Sequence, residues 1–253
     1  MVDRAYGFEG TVEERAAAPL AGGIARNGYQ CGMVWGSTLA AGAEAHRRFG
    51  AGARAEAVAI EAARRIVTSF RAQNGAVDCF DLTGTDFDSK AGTWRYLLTG
   101  KAVGCFRMAA RYAPVAKAQI DAALSLDAID TPEPPVGCAA LTARRLGASD
   151  EHATMAAGFA GGIGLCGGAC GALGAAVWVG AMGAGRDFKA LEARASPTLS
   201  RFLAATDGLF ECAQIVGRKF ENVADHAAFL RGGGCARVIE ALCLASPARL
   251  ASR

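Results

Sequence analysis

The feature that most constrains this chain is a pattern that occurs twice. Leu20-Ala-Gly-Gly-Ile24 returns as Phe159-Ala-Gly-Gly-Ile163, a step from position 20 to position 159, or 139 residues. With that step held, Gly28 falls on Gly167, Cys31 on Cys170 and Gly32 on Gly171. Later landmarks return after slightly shorter steps, Cys79 with Cys212 (133) and Cys105 with Cys235 (130). Phe70 and Gly75 precede Cys79 as Phe202 and Gly208 precede Cys212, and Gly84 and Gly217 each follow five residues later. Cysteines that keep their order and approximate spacing predict two structurally equivalent halves. Cys138 stands apart, because its counterpart would fall before residue 1; the first copy is expected to lack its first helix and first cysteine.

Each half reads as helical. Alanine dominates while Val, Ile and Thr are sparse, which favours helix over strand. Ala53–Ala72 and Gly104–Leu124 repeat apolar residues at three- and four-residue spacing. Ser149-Asp150-Glu151 is a helix start with acidic residues in the first turn. Thr131-Pro-Glu-Pro-Pro135 cannot continue a helix and lies near the midpoint. The expected fold is all-α, two pseudo-symmetric helical bundles from an internal repeat: a truncated cysteine module over 1–130 and a complete one over 131–253.

Composition narrows the function. With 52% hydrophobic and 20% charged residues, the 253-residue chain is not disordered. A net charge of +3 without a long Lys/Arg run argues against nucleic acid as a partner. Ala153–Gly185 carries no charged residue, yet it is mostly Gly and Ala. Small residues of this kind suit close helix packing, so no membrane span is expected. The first fifteen residues show no basic stretch followed by an apolar core, so a cytoplasmic location is expected, where thiols stay reduced. Nine cysteines in such a setting need a reason: buried packing, metal ligation or reversible redox chemistry.

A module of one cysteine, a Gly-rich run into Cys170-Gly-Ala-Leu-Gly-Ala175, and two further spaced cysteines resembles the redox-active family named for its C-GCAxxG-C-C signature. The second copy supplies Cys138, Cys170, Cys212 and Cys235, and the first supplies Cys31 (in Cys31-Gly-Met-Val-Trp-Gly36), Cys79 and Cys105. Both copies read Cys-Gly where the family label has Gly-Cys. Met33 replaces the motif alanine, and Ala175 the final motif glycine. The resemblance implies thiol redox or metal-centred electron transfer, with Cys138, Cys170, Cys212 and Cys235 as redox thiols or ligands. It implies a redox partner protein, and a homo-oligomer is an open expectation.

Several alternatives stay open at this level. Cys166 and Cys170, at i and i+4, would stack on one face if that segment is helical and could join Cys138, Cys212 and Cys235 as metal ligands. An iron–sulfur cluster, haem iron, zinc or Cu(I) would suit such thiolates. A metal carrier without electron transfer, and a scaffold whose cysteines only pack, are the other two classes. Cys31, Cys79, Cys105, Gly167 and Gly171 would complete a cofactor-binding set, the glycines letting backbone approach closely. A helix beginning near Cys170 would lower that thiol's pKa. Cys243, Trp35 and Trp178 are expected in the core, and His46, His152 and His226 on the surface. Arg26, Arg95 and Arg218 are candidate anion contacts. Gly162–Gly167 spells GxGxxG with Asp187 beyond, but a helix is expected before it where a dinucleotide fold needs a strand.

Overall fold

The computed structural model describes residues 3–7, 10–183 and 188–244. Among them are thirteen α-helices and no strand. The first copy contributes α1 (Thr11–Ala16), α2 (Gly32–Phe49), α3 (Ala53–Asn74), α4 (Cys79–Thr83), α5 (Lys90–Leu98) and α6 (Lys101–Leu124). The second contributes α7 (Cys138–Arg145), α8 (Asp150–Ala157), α9 (Gly171–Met182), α10 (Phe188–Ala205), α11 (Cys212–Val216), α12 (Val223–Arg231) and α13 (Ala236–Cys243). The all-α architecture built on an internal repeat is as expected. Thr131–Pro135 lies in the connection between α6 and α7.

The repeat extends to helix starts and stops. Ser89 begins α5 by accepting the Gly92 N–H, and Asn222 begins α12 by accepting the Asp225 N–H. Ser149 does the same for α8 through the His152 N–H, with Asp150 and Glu151 in the first turn. The segment from Ala153 to Gly183 is not one long helix: α8 and α9 are separated by an irregular turn. No helix among the described residues is long and apolar enough to cross a membrane.

The halves exchange one pair of equivalent helices, α1 and α8. α8 of the second copy packs on α2 and α3 of the first, while α1 of the first packs on α9 of the second. α1 and α8 correspond under the 139-residue step, as do α2 and α9. The exchange therefore runs about a pseudo-twofold axis. At that axis equivalent positions meet each other. Trp35 and Gly174 are counterparts, and a Cβ on Gly174 would come within 2.3 Å of the Trp35 ring, so the glycine makes room for the indole. Gln30 and Ala169 are counterparts too, and the Ala169 N–H donates to Gln30 Oε1 at 2.9 Å. Tyr29 stacks on Phe210 with ring centres 4.2 Å apart.

The core is alanine-rich, and helix axes approach closely because small side chains allow it. A Cβ on Gly42 in α2 would lie 2.5 Å from Met155 Cα in α8. Trp35 and Trp178 are both fully buried, as expected. Trp178 donates to the Glu13 carbonyl at 3.1 Å, which ties α9 to α1. Arg144 of α7 reaches the buried Glu56 of α3 at 2.6 Å, another bond between the halves.

Candidate thiol site

The irregular turn before each motif cysteine is a left-handed helical turn. Gly22, Gly23, Ile24, Ala25 and Arg26 have φ of 72, 80, 52, 48 and 66°. Their counterparts Gly161, Gly162, Ile163, Gly164 and Leu165 have φ of 62, 76, 62, 59 and 63°. Each non-glycine residue there costs roughly 1–2 kcal/mol against the right-handed form. The turn persists because its backbone bonds are made and its side chains are buried. Ile163 N–H donates to Phe159 O at 2.9 Å and Gly167 N–H to Gly161 O at 2.9 Å, and both Ile24 and Ile163 are fully buried. A run of strained backbone repeated in both copies marks a position that the fold over-determines.

That turn delivers the chain into a short antiparallel pairing that fixes two cysteines. In the first copy Cys31 N–H donates to Val77 O (2.9 Å) and Cys79 N–H to Tyr29 O (2.7 Å). In the second, Cys170 N–H donates to Phe210 O (3.0 Å) and Cys212 N–H to Gly168 O (2.7 Å). Cys31 and Cys170 then cap α2 and α9, while Cys79 and Cys212 open α4 and α11. The helix start at Cys170 is as expected. Its effect on the thiol is not: burial first, then the neighbouring Cys138, push Cys170 up to about 12, against the N–H groups of Leu173 and Ala172.

In the second copy four cysteines come together. Cys138, Cys170 and Cys212 are buried and Cys235 is half-buried. Burial, then the charges of Cys170, Cys138 and Cys235, raise Cys212; burial, then Cys138 and Cys170, raise Cys235. Cys138 moves the other way. Burial raises its thiol, but the His226 ring, as hydrogen-bond partner and as positive charge, outweighs it together with the N–H groups of Gly161 and Ala139. His226 is itself raised: burial opposes its charge, and the Cys138 sulfur and the Val136 carbonyl favour it. Its Nδ1 lies 3.1 Å from Val136 O; a carbonyl only accepts, so Nδ1 carries the proton there. Cys235 has φ of 61°, a left-handed conformation directly after Gly232, Gly233 and Gly234.

The first copy gathers three thiols. Burial pushes Cys31 up to about 11, aided by Cys105 and opposed by the Met33 N–H. Burial, then Cys31 and Cys105, push Cys79 up to about 12, with Thr83 opposing. Burial, then a hydrogen bond with Cys105, raises Tyr96. Cys31, Cys79, Cys105 and Tyr96 line one cavity of about 770 Å³.

Other candidates lie elsewhere. The helical stacking expected of Cys166 and Cys170 does not occur, because the chain leaves the left-handed turn of residues 161–165 without forming a helix over 166–170. Cys166 is raised by burial and lowered by Arg71, Lys219 and Arg64, so it stands among cations rather than thiols. Gly171 is a packing residue, where a Cβ would meet the Phe159 carbonyl at 1.8 Å; Gly167 has φ of 84° and sits against Ala213. Cys243 is half-buried and packed against the core. Arg218 pairs with Asp225 at 2.7 Å. Asp187 lies outside the described residues. The expectation of surface histidines fails at His226, which is 1% exposed. Phe220 packs edge-on against it and is itself backed by Phe229, a surrounding that the sequence Asp225-His226-Ala227 does not reveal. Tyr96 was also missed. Spacing alone carries one signal for both residues: α5 and α12 correspond, and each brings one proton-bearing side chain to its cysteine cluster.

Comparison with curated proteins and with solved structures returns no match. The family model described as "Putative redox-active protein (C_GCAxxG_C_C)" matches residues 1–118 and again residues 137–245. The two matched segments coincide with the two copies that share the left-handed turn, the cysteine pairing and the helix order. The chain therefore belongs to the C_GCAxxG_C_C family and carries its module twice.

Proposed function

We propose that the chain is a dithiol–disulfide redox protein whose working centre is the second copy, with Cys138 and Cys235 as the exchanging pair and Cys170 and Cys212 as the surrounding thiols. The observation that carries this reading is the buried His226 ring beside Cys138, the one thiol of the four held below its ordinary value. A low-pKa thiol is a good leaving group in thiol–disulfide exchange. Cys235 is the least buried of the four and the sulfur that a partner can reach.

In the oxidised protein a Cys138–Cys235 disulfide is attacked at the Cys235 sulfur by a thiolate of a partner dithiol, whose proton has passed to His226. The disulfide breaks, a mixed disulfide forms, and Cys138 leaves as a thiolate beside protonated His226. The partner's second thiol then displaces Cys235, which takes up that thiol's proton. The partner is oxidised to a disulfide while the protein gains two electrons and two protons. The left-handed Cys235 and the three glycines before it form a backbone that can readjust as the bond opens.

Equilibration in graded thiol–disulfide buffers tests it. A single two-electron transition is expected, lost in both Cys138→Ser and Cys235→Ser. Metal analysis of protein isolated without oxygen supplies the opposing outcome: stoichiometric iron, zinc or copper that disappears in Cys170→Ser would replace the dithiol reading with a metal-centred one.

A further inference from the structure

The start of α7 fills a definite place in the second copy. A Cβ on Gly137 would meet Ala160 Cβ at 3.3 Å and the Ala157 carbonyl at 3.6 Å, and the Gly161 N–H bonds the Cys138 sulfur. The counterparts of Ala157, Ala160 and Gly161 are Ala18, Ala21 and Gly22. All three line the 770 Å³ cavity of the first copy, together with Cys31, Cys79 and Cys105. The cavity is thus the place that α7 and its cysteine occupy in the other half, open to a ligand and walled on a further side by Ala195 and Leu199 of α10. Its volume falls within the ~300–1,000 Å³ range of small-molecule sites. Arg26 and Asp88 also line it, so both signs of charge are present beside the sulfurs.

We propose that this cavity binds a low-molecular-weight amino-acid-derived thiol or its disulfide, whose sulfur takes the place that Cys138 holds in the second copy. Carboxylate and ammonium groups on such a ligand match Arg26 and Asp88. With a disulfide bound, the Cys105 thiolate attacks one sulfur. The ligand's S–S bond breaks, a Cys105–ligand disulfide forms, and the released thiolate takes the proton that Cys105 gave up. The Tyr96 hydroxyl, the polar group against Cys105, hydrogen-bonds the attacking sulfur. Nothing in this step depends on chemistry at Cys138 or Cys235.

Glutathione disulfide is the probe, applied to the full chain and followed by peptide mapping in a mass spectrometer. Binding before exchange makes the reaction effectively intramolecular. The rate at Cys105 should therefore saturate with probe concentration and exceed that at Cys166 and Cys243 by at least about tenfold. Those two thiols are half-buried like Cys105 but lie outside the cavity. Met33→Trp on α2 and Leu199→Phe on α10 each fill the cavity, and each should slow Cys105 by about tenfold in protein that keeps its helical circular dichroism. Cys235→Ser should leave the Cys105 rate unchanged, which separates this site from the second copy's centre. Equal, unsaturable labelling of Cys105, Cys166 and Cys243, or full-rate labelling of a folded cavity-filled variant, overturns the proposal.

Discussion

At Cys138 two effects oppose each other: burial favours the neutral thiol, while the His226 ring and two backbone N–H groups favour the thiolate. Removing the ring leaves burial in command. In His226→Asn the Cys138 pKa should move from below to above the ordinary thiol value. Thiolate ultraviolet absorbance, titrated from about pH 5 to about pH 10, reads that change. Asp78 offers a second titration. Burial, then Asp81 and Glu211, raise it from 3.8 to about 6, with Arg71 opposing. A carboxyl raised by folding stabilises the protein below its unfolded value and loses that contribution as pH rises through the folded one. Its side chain makes no capping bond at the start of α4. Asp78→Asn should therefore melt higher than wild type above about pH 6. The advantage should vanish below 3.8, as thermal unfolding across that window would show.

Among the elements, the left-handed turn decides where the sulfurs lie. Gly162 has φ of 76°, and a Cβ there would come within 2.4 Å of the Gly168 carbonyl oxygen. Gly162→Ala should destabilise by roughly 2–3 kcal/mol, combining left-handed strain with a backbone clash. Gly180 sits exposed in α9, where an added Cβ would meet no atom of the described residues within 4 Å, so Gly180→Ala should stabilise by about 0.5–1 kcal/mol. Denaturant melts of the two variants separate a conformational glycine from an ordinary one. The sequence marks this turn as glycine-rich but does not reveal its handedness, because Ile24, Ala25, Arg26, Ile163 and Leu165 are residues that ordinarily avoid positive φ. For the same reason the Cys166–Cys170 helical stack was the wrong geometry. The cysteine positions themselves were legible, since order and spacing survive in the sequence when conformation does not.

Across the whole molecule, the exchange of α1 and α8 joins the copies into one packed unit. Cysteine spacing reveals that there are two copies, but exchange depends on which neighbour covers each helix, and both arrangements carry the same periodicity. Because each half packs against its neighbour's exchanged helix, α1 or α8, fragments 1–130 and 131–253 made separately should lack cooperative melting. Mixed, they should regain it, which circular dichroism can follow. His226 was equally hidden, since it becomes a partner to Cys138 only when α12 packs beside α7. The central claim is that this assembly holds a redox pair beside a buried histidine. Disulfide mapping of the full chain, oxidised in a thiol–disulfide buffer and quenched by alkylation, tests it most directly. One reversible bond between Cys138 and Cys235 is the predicted result. Four thiols in the second copy that all stay alkylatable across the whole potential range would contradict the account.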